Sequence, residues 1–265
     1  MSDRSANDEA EIEATKAPLM DHLIELRKRL VWAILSFAVC FIICFIFAKP
    51  IYGFLTMPLA NALAGRPNAH LIYTALYETW ITYVKVGMFG GLCLAFPIIA
   101  MQLWMFVAPG LYRNERRAFL PFLLASPVLF LIGAAFVFYV MMPFAIQFFV
   151  GYQTQGGPHT LGIQLEAKVS EYLDFVTTLI VAFGLAFQLP LVLGLLGRVG
   201  IITSAQLRSV RRYAILGLVV LAAIFTPPDP YSMLSLMIPL IGLYEISIWL
   251  VKWVERSKAK EAAKS

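Results

Sequence analysis

Residues 30–48 read LVWAILSFAVCFIICFIFA, and no side chain in this run is charged. Apolar runs of about 18 or more residues are typical of helices that cross a bilayer. The whole chain fits that interpretation, because 60% of its 265 residues are hydrophobic and only 14% are charged, whereas soluble chains are about 45–50% apolar and 25% charged. The sequence therefore predicts an all-α polytopic membrane protein.

Six apolar stretches, separated by turn formers and polar links, predict six transmembrane helices. We expect the fifth and sixth spans to be short. The fifth, Tyr213–Phe225, covers only ~20 Å against a hydrocarbon core of ~30 Å. Residues 50–75 are expected to form a loop, with Pro58, Gly65, Pro67 and Asn68 as turn formers. The predicted spans are Leu30–Ala48, Leu76–Val107, Ala118–Val150, Tyr172–Gly197, Tyr213–Phe225 and Tyr231–Val251.

Lysines and arginines are divided unevenly between the segments that flank these spans. Seventeen of the 21 lie in the N-terminal tail, the links 108–117 and 198–212, and the C-terminal tail, whereas three lie in the opposite loops. Cytoplasmic segments carry such a basic excess, so we predict that both termini are cytoplasmic (N-in/C-in). The same bias accounts for the net charge of +5 without a nucleic-acid partner.

Composition divides the chain into three parts. The acidic segment 1–17 is expected to be a disordered cytoplasmic tail. Residues 18–251 are expected to form the six-helix transmembrane domain, and residues 252–265 a basic cytoplasmic tail.

Two carboxylates stand among arginines on the predicted cytoplasmic side. Glu25 lies in HLIELRKRL, residues 22–30, whose leucines recur at helical spacing and predict an amphipathic helix that leads into the first span. Arg29 follows it by four residues, a spacing at which an exposed ion pair contributes ~0.3–0.5 kcal/mol. Glu115 opens the third helix, where a carboxylate also suits the helix dipole. For each carboxylate taken alone, a structural role explains the pattern as well as a binding role does.

Among the polar side chains inside the predicted spans, four are selected as functional candidates, since ionisable groups in a span are functional candidates by default. Glu78 and Lys85 lie seven residues apart in the second span, Gln188 lies in the fourth, and Glu245 lies in the sixth. For each of the four side chains a structural role is an open alternative. Glu78 can be interfacial, Lys85 can snorkel to the headgroups, and Gln188 can satisfy backbone groups freed by the following proline. Glu245 can pair with Lys252.

Enzymatic chemistry is not indicated. The sequence lacks H-E-x-x-H, G-x-S-x-G and Walker A patterns, and its three histidines fall in separate segments, which disfavours a shared metal site. We therefore predict no enzyme, no metal and no cofactor. A small-molecule transporter that uses Glu78, Lys85 or Glu245 stays open as an alternative, although the two halves of the chain show no repeat.

Four motifs follow one another along the chain, each at the boundary of a predicted span. They are HLIELRKRL at 22–30, FVAPGLYRNERR at 106–117, AFQLP at 186–190 and FTPPD at 225–229. In this order the motifs resemble those of the TatC family, the signal-binding core of the twin-arginine protein translocase. The resemblance covers residues 18–251.

The resemblance implies a function and a set of partners. TatC-like proteins bind the paired arginines of signal peptides on folded precursor proteins. They act with TatA- and TatB-type single-span proteins, in transport driven by the proton-motive force. For this chain the resemblance implies the cell inner (cytoplasmic) membrane, contact with lipid and with other copies of the chain, and no nucleic acid.

Functional residues carry over to this chain by motif. The implied signal-peptide site is Glu25, Glu115, Arg27, Leu30 and Phe106. The positions implied in partner contact or transport are Gln188, Pro58 and Asp229. Relatives often have a glutamate where Gln188 stands, and because an amide cannot titrate we expect this residue to contact a TatA- or TatB-type helix. A guanidinium pairs bidentately with a carboxylate and lysine does not, which would explain a preference for arginine.

Overall fold

The computed structural model of the chain is built from helices. It describes residues 2–64, 70–107, 116–154, 156–157, 161–225 and 230–262, with side chains at 20, 22–64, 70–106, 123–154, 156–157, 161–225 and 233–257. The helices are α1 (Ser2–Ile46), α2 (Ala48–Ala62), α3 (Glu78–Val107), α4 (Arg116–Phe136), a π-helical turn (Val137–Met141), α5 (Met142–Val150), α6 (Val169–Ala186), α7 (Leu189–Val199), α8 (Ser204–Ser209), α9 (Arg211–Phe225) and α10 (Pro230–Ala262). Strand-like pairing in the described residues is limited to two isolated bridges, Ile72 with Lys168 and Thr154 with Ile163.

Five helical stretches among the described residues are long and apolar enough to cross a membrane. They are His22–Ile46, Glu78–Phe106, Leu123–Val150, Val169–Val199 and Met233–Ser257. The prediction of an all-α polytopic membrane protein is thereby confirmed. The predicted fifth span corresponds to α9, whose 15 residues cover only ~22 Å, so six crossings and the N-in/C-in orientation stay predictions.

Two predicted boundaries are wrong. Residues 50–75 do not form one loop, because α2 occupies Ala48–Ala62; Pro50 lies in its first turn, where the missing N–H breaks no intrahelical bond. The sixth span is not short, because α10 has 33 residues. Its apolar pattern continues past Lys252 to the buried Val254, so this lysine does not end the helix.

The predicted division of the chain into tails and a central domain is not decided by the helices. α1 begins at Ser2, within the segment 1–17 for which composition predicts disorder, and α10 continues into the segment 252–265. The disordered tail, the domain 18–251 and the basic tail therefore stay predictions.

Prolines interrupt two of the spans. Pro143 has no N–H for the carbonyl of Tyr139, and the π-helical turn Val137–Met141 lies immediately before it. α6 ends at Ala186 and α7 begins at Leu189, with Pro190 in its first turn. Across each break the helical stretch, Leu123–Val150 or Val169–Val199, is long and apolar enough to count as one span.

The first span is attached to the rest of the molecule mainly through α3. Two glycines of α3 make this contact close: a Cβ on Gly91 would lie 2.7 Å from the Cα of Phe41, and a Cβ on Gly87 would lie 3.0 Å from the Cα of Phe45. Small residues at such positions allow helix backbones to approach in a membrane, where packing supplies the attraction. These two glycines set the separation of α1 and α3.

We predict that Gly91→Ala destabilises the protein, because overpacking of this kind costs about 1–3 kcal/mol. Gly242→Ala is the matched control: it also adds a methyl to a helical glycine, but nothing lies within 4 Å of the new atom. Thermal unfolding of the two variants in the same detergent measures the difference. Equal melting temperatures for both would show that the α1–α3 contact is not as close as described.

Candidate functional site

A cavity of about 490 Å³ opens between α1 and α3, at the end of the helices where the first span begins. Its lining residues are Ile24, Glu25, Lys28, Arg29 and Trp32 from α1 and Gln102 and Met105 from α3. The lining thus combines a single carboxylate with two basic side chains, an amide and an apolar wall. Such a mixture can hold a cationic group and an adjoining apolar group together.

Glu25 is engaged by a guanidinium inside this cavity. Arg29 donates from Nε to Oε1 of Glu25 at 3.0 Å, and its Nη2 donates to the same oxygen. The predicted i, i+4 pair is confirmed, but it is less exposed than expected, since 19% of the Arg29 side chain and 33% of the Glu25 side chain are accessible. Partial burial makes the pair stronger than a freely solvated surface pair.

The other residues of the predicted signal-peptide site are placed differently. Phe106 stacks on His22, with 4.3 Å between ring centroids and 22° between planes, which holds the end of α3 against the start of the first span. Arg27 and Leu30 are exposed and are not among the residues that line the cavity. Glu115 lies outside the described residues. The structure therefore brings Glu25 and Phe106 to the same region and leaves the roles of all five as predictions.

Sequence reasoning missed two cavity residues that carry polar groups or a large aromatic face. Trp32 lies seven residues after Glu25, which puts both on one face of α1, and Gln102 lies one turn before Phe106 on α3. The available signals were the heptad spacing from Glu25 and an amide within the apolar part of the second span that follows Lys85.

Gln188 lies at the break between α6 and α7 and is bound to α4. Ser126 Oγ donates to Gln188 Oε1 at 2.8 Å, and Gln188 Nε2 donates to the carbonyl of Ser126 at 2.9 Å. This reciprocal pair joins two spans inside the chain. The predicted contact with a partner helix is untested, and it would have to use the second N–H of the amide or the remaining lone pair of Oε1.

Two predicted positions remain, Pro58 and Asp229. Pro58 is buried within α2, between Leu55 and Leu59 of the core. The hydroxyl of Tyr172 donates to the carbonyl of Leu55 at 3.0 Å, which ties this part of α2 to α6. Asp229 lies outside the described residues.

Glu78 joins the start of α3 to the start of α6. Its Oε2 accepts from the backbone N–H of Thr74 at 2.7 Å, and its Oε1 accepts from the hydroxyl of Ser170 at 2.7 Å. Nearby, the carbonyl and N–H of Ile72 bond the segment 167–169. Glu78 therefore connects the loop before α3 with the start of α6, at the end of the bundle opposite the cavity.

Lys85 forms an ion pair with Asp174 of α6, at 2.9 and 2.7 Å to the two carboxylate oxygens. Both side chains are about half exposed, which would be costly within hydrocarbon. The apolar remainder of the span, Val86–Phe106, is ~31 Å long and by itself fills a ~30 Å core. The pair accordingly fits the headgroup level rather than the middle of the bilayer.

Glu245 of α10 pairs with Arg211 at the start of α9, and not with Lys252 as spacing within one helix suggested. The sequence could not reveal this partner because it comes from a neighbouring helix. The three side chains on which a transporter would depend are thus each held by another group of the chain. Their arrangement does not favour that alternative.

Comparison with known proteins agrees with the motifs. A family model described as Sec-independent protein translocase protein (TatC) matches residues 21–239. A Sec-independent protein translocase protein TatC from Magnetococcus marinus is 44% identical over 248 residues, which cover 94% of this chain and 89% of that protein. The TatC protein of Aquifex aeolicus is 39% identical over 251 residues, 94% of this chain and 100% of its own.

Similarity extends to the three-dimensional fold. A crystal structure of the twin-arginine translocase receptor TatC matches with a TM-score of 0.77 and 38% identity, over 88% of this chain and 99% of that one. The relatives are named as components of a protein translocase, a transport system, which agrees with the prediction of a non-enzyme. The chain therefore belongs to the TatC family and is a multi-pass membrane subunit of the Sec-independent, twin-arginine protein translocase.

Proposed function

We propose that this chain is the signal-binding core subunit of the translocase. In this role it receives the paired arginines of signal peptides on folded precursor proteins. It assembles with TatA- and TatB-type single-span proteins for transport driven by the proton-motive force. The observation that carries the proposal is the contact of Glu25 with a guanidinium inside the cavity between α1 and α3.

Charge around the cavity supports recognition of arginine. Lys28 and Arg29 line it beside Glu25, and Arg116 and Arg117 follow Glu115 in sequence. A cationic peptide is repelled by this surface unless its positive groups meet carboxylates, so attraction and repulsion together select the ligand. We assign Glu25 and Glu115 as the two acceptors.

Three further residues complete the proposed peptide surface. Phe106, stacked on His22, adds an aromatic edge beside the cavity. Arg27 and Leu30, both exposed on α1, extend the surface along the helix outside the cavity. A peptide long enough to continue past its arginines would contact them.

The proposed topology has six crossings, with α9 as the fifth, and both termini on the cytoplasmic side of the inner membrane. The excess of lysine and arginine in the tails and in the links 108–117 and 198–212 supports this orientation. It puts the cavity on the side from which a precursor arrives. The short α9 would require local thinning of the bilayer.

Assembly is proposed to involve Gln188, Pro58 and Asp229, as well as other copies of the chain. Pro58 acts in this proposal by shaping α2 from within, since its side chain is buried. Gln188 offers a partner helix the amide N–H that Ser126 does not accept. Lipid covers the apolar residues that the first span exposes.

We predict that Glu25→Gln with Glu115→Gln weakens binding of a twin-arginine peptide at least about a hundredfold. Charged hydrogen bonds contribute ~1.5–3 kcal/mol each, or about tenfold or more per carboxylate. Binding is measured by fluorescence anisotropy on purified protein in nanodiscs. Glu166→Gln is the matched control: it makes the same change at an exposed position in the segment before α6 and should bind normally. If the double variant binds the peptide as well as the wild type does, Glu25 and Glu115 are not the two acceptors.

A second prediction concerns the ligand. Replacing both arginines of the peptide by lysine should weaken binding at least about tenfold, because an ammonium cannot supply the paired N–H groups of a guanidinium. The same anisotropy assay gives both affinities, with salt held constant. Equal affinities for the two peptides would mean that only positive charge is recognised.

A further inference from the structure

Glu25 is already occupied when no peptide is present. Two N–H groups of Arg29 reach the same carboxylate oxygen, and Arg29 is the less accessible partner of the pair. A peptide arginine that pairs bidentately with both oxygens of Glu25 would need Oε1, the oxygen that the Arg29 guanidinium already fills. One of the two carboxylate oxygens is thus occupied by a group with the same chemistry as the proposed ligand.

We propose that Arg29 is an internal competitor that sets the affinity threshold of the signal-binding site. This proposal rests on the proposed function of Glu25. Binding exchanges one guanidinium for another, so each hydrogen bond lost by Arg29 is replaced by one from the peptide. Every ligand of Glu25 is weakened by the same factor, which keeps weak cationic ligands from occupying the site while strong ones still bind.

The cavity provides a place for the displaced side chain. Trp32 lies three residues after Arg29 on the same wall, and about half of its surface is exposed. An arginine over an indole ring gains a cation–π interaction, and residues three apart on a helix are neighbours. Arg29 can therefore move from Glu25 to Trp32 without leaving the cavity.

Removing Arg29 has opposite effects on peptide affinity, depending on whether Arg29 competes with the peptide or assists its binding. If Arg29 competes, its removal tightens binding of the twin-arginine peptide, and the gain disappears when Glu25 is absent. If Arg29 instead orients Glu25 for the ligand, its removal weakens binding. If the pair only stabilises α1, its removal lowers the melting temperature and leaves affinity in the folded protein unchanged.

The experiment measures peptide affinity for Arg29→Gln, Arg29→Lys and Lys28→Gln in nanodiscs. Lys28 is the charge control, because it lines the same cavity and loses the same charge, while no ion pair joins it to Glu25 in the described part of the chain. Arg29→Lys keeps the positive charge and removes the paired N–H groups of the guanidinium. We expect Arg29→Gln to tighten binding about threefold to tenfold, Arg29→Lys to fall between it and the wild type, and Lys28→Gln to tighten it less than Arg29→Gln.

The same measurement in a Glu25→Gln background separates the two proposals. Weaker binding by Glu25→Gln, together with a tightening by Arg29→Gln that is present in the wild-type background and absent in this one, supports both. Loss of binding in Glu25→Gln, together with a single Arg29→Gln variant that binds no tighter than Lys28→Gln, overturns the competitor and leaves the proposed function standing. Normal binding by Glu25→Gln overturns both. Melting temperatures of all variants identify any that do not fold.

Discussion

The close contact of α1 with α3 is the constraint on which the rest of the site depends. Gly91 and Gly87 bring the α3 backbone against Phe41 and Phe45, and the stack of His22 on Phe106 fastens the two helices at the other end. Between these points the helices form the two walls of the cavity. A larger separation would leave Glu25 on an open surface, where water weakens its charged hydrogen bonds.

Charged groups within or near the spans fall into two kinds. Glu78 and the Lys85–Asp174 pair connect α3 with α6, and Arg211 connects α9 with Glu245 of α10; these contacts join helices to each other. Glu25 and Arg29 belong to a single helix and line a cavity. Because their pairing joins no two helices, exchanging its partner need not disturb the fold.

Much of the architecture follows from sequence, because apolar runs and the residues that end them act locally. The i, i+4 spacing identified the Glu25–Arg29 pair, and the proline of AFQLP, expected to free backbone groups, lies at the break between α6 and α7. Failures arose where a local signal was overridden. A loop is predicted at 50–75, but Pro50 lies in the first turn of α2. The sixth span is predicted to end at Val251, but its helix continues past the buried Val254. Partners such as Ser126 for Gln188 come from another helix, which spacing cannot reveal.

The central claim is that a signal peptide occupies the cavity between α1 and α3, and photo-crosslinking tests it most directly. A photoreactive amino acid replaces Gln102 in the cavity wall, and, for comparison, Thr178 on the exposed surface of α6. The account predicts that a twin-arginine peptide crosslinks at position 102 and not at 178, and that excess unlabelled peptide abolishes the crosslink. Crosslinking at 178 with none at 102 would contradict it.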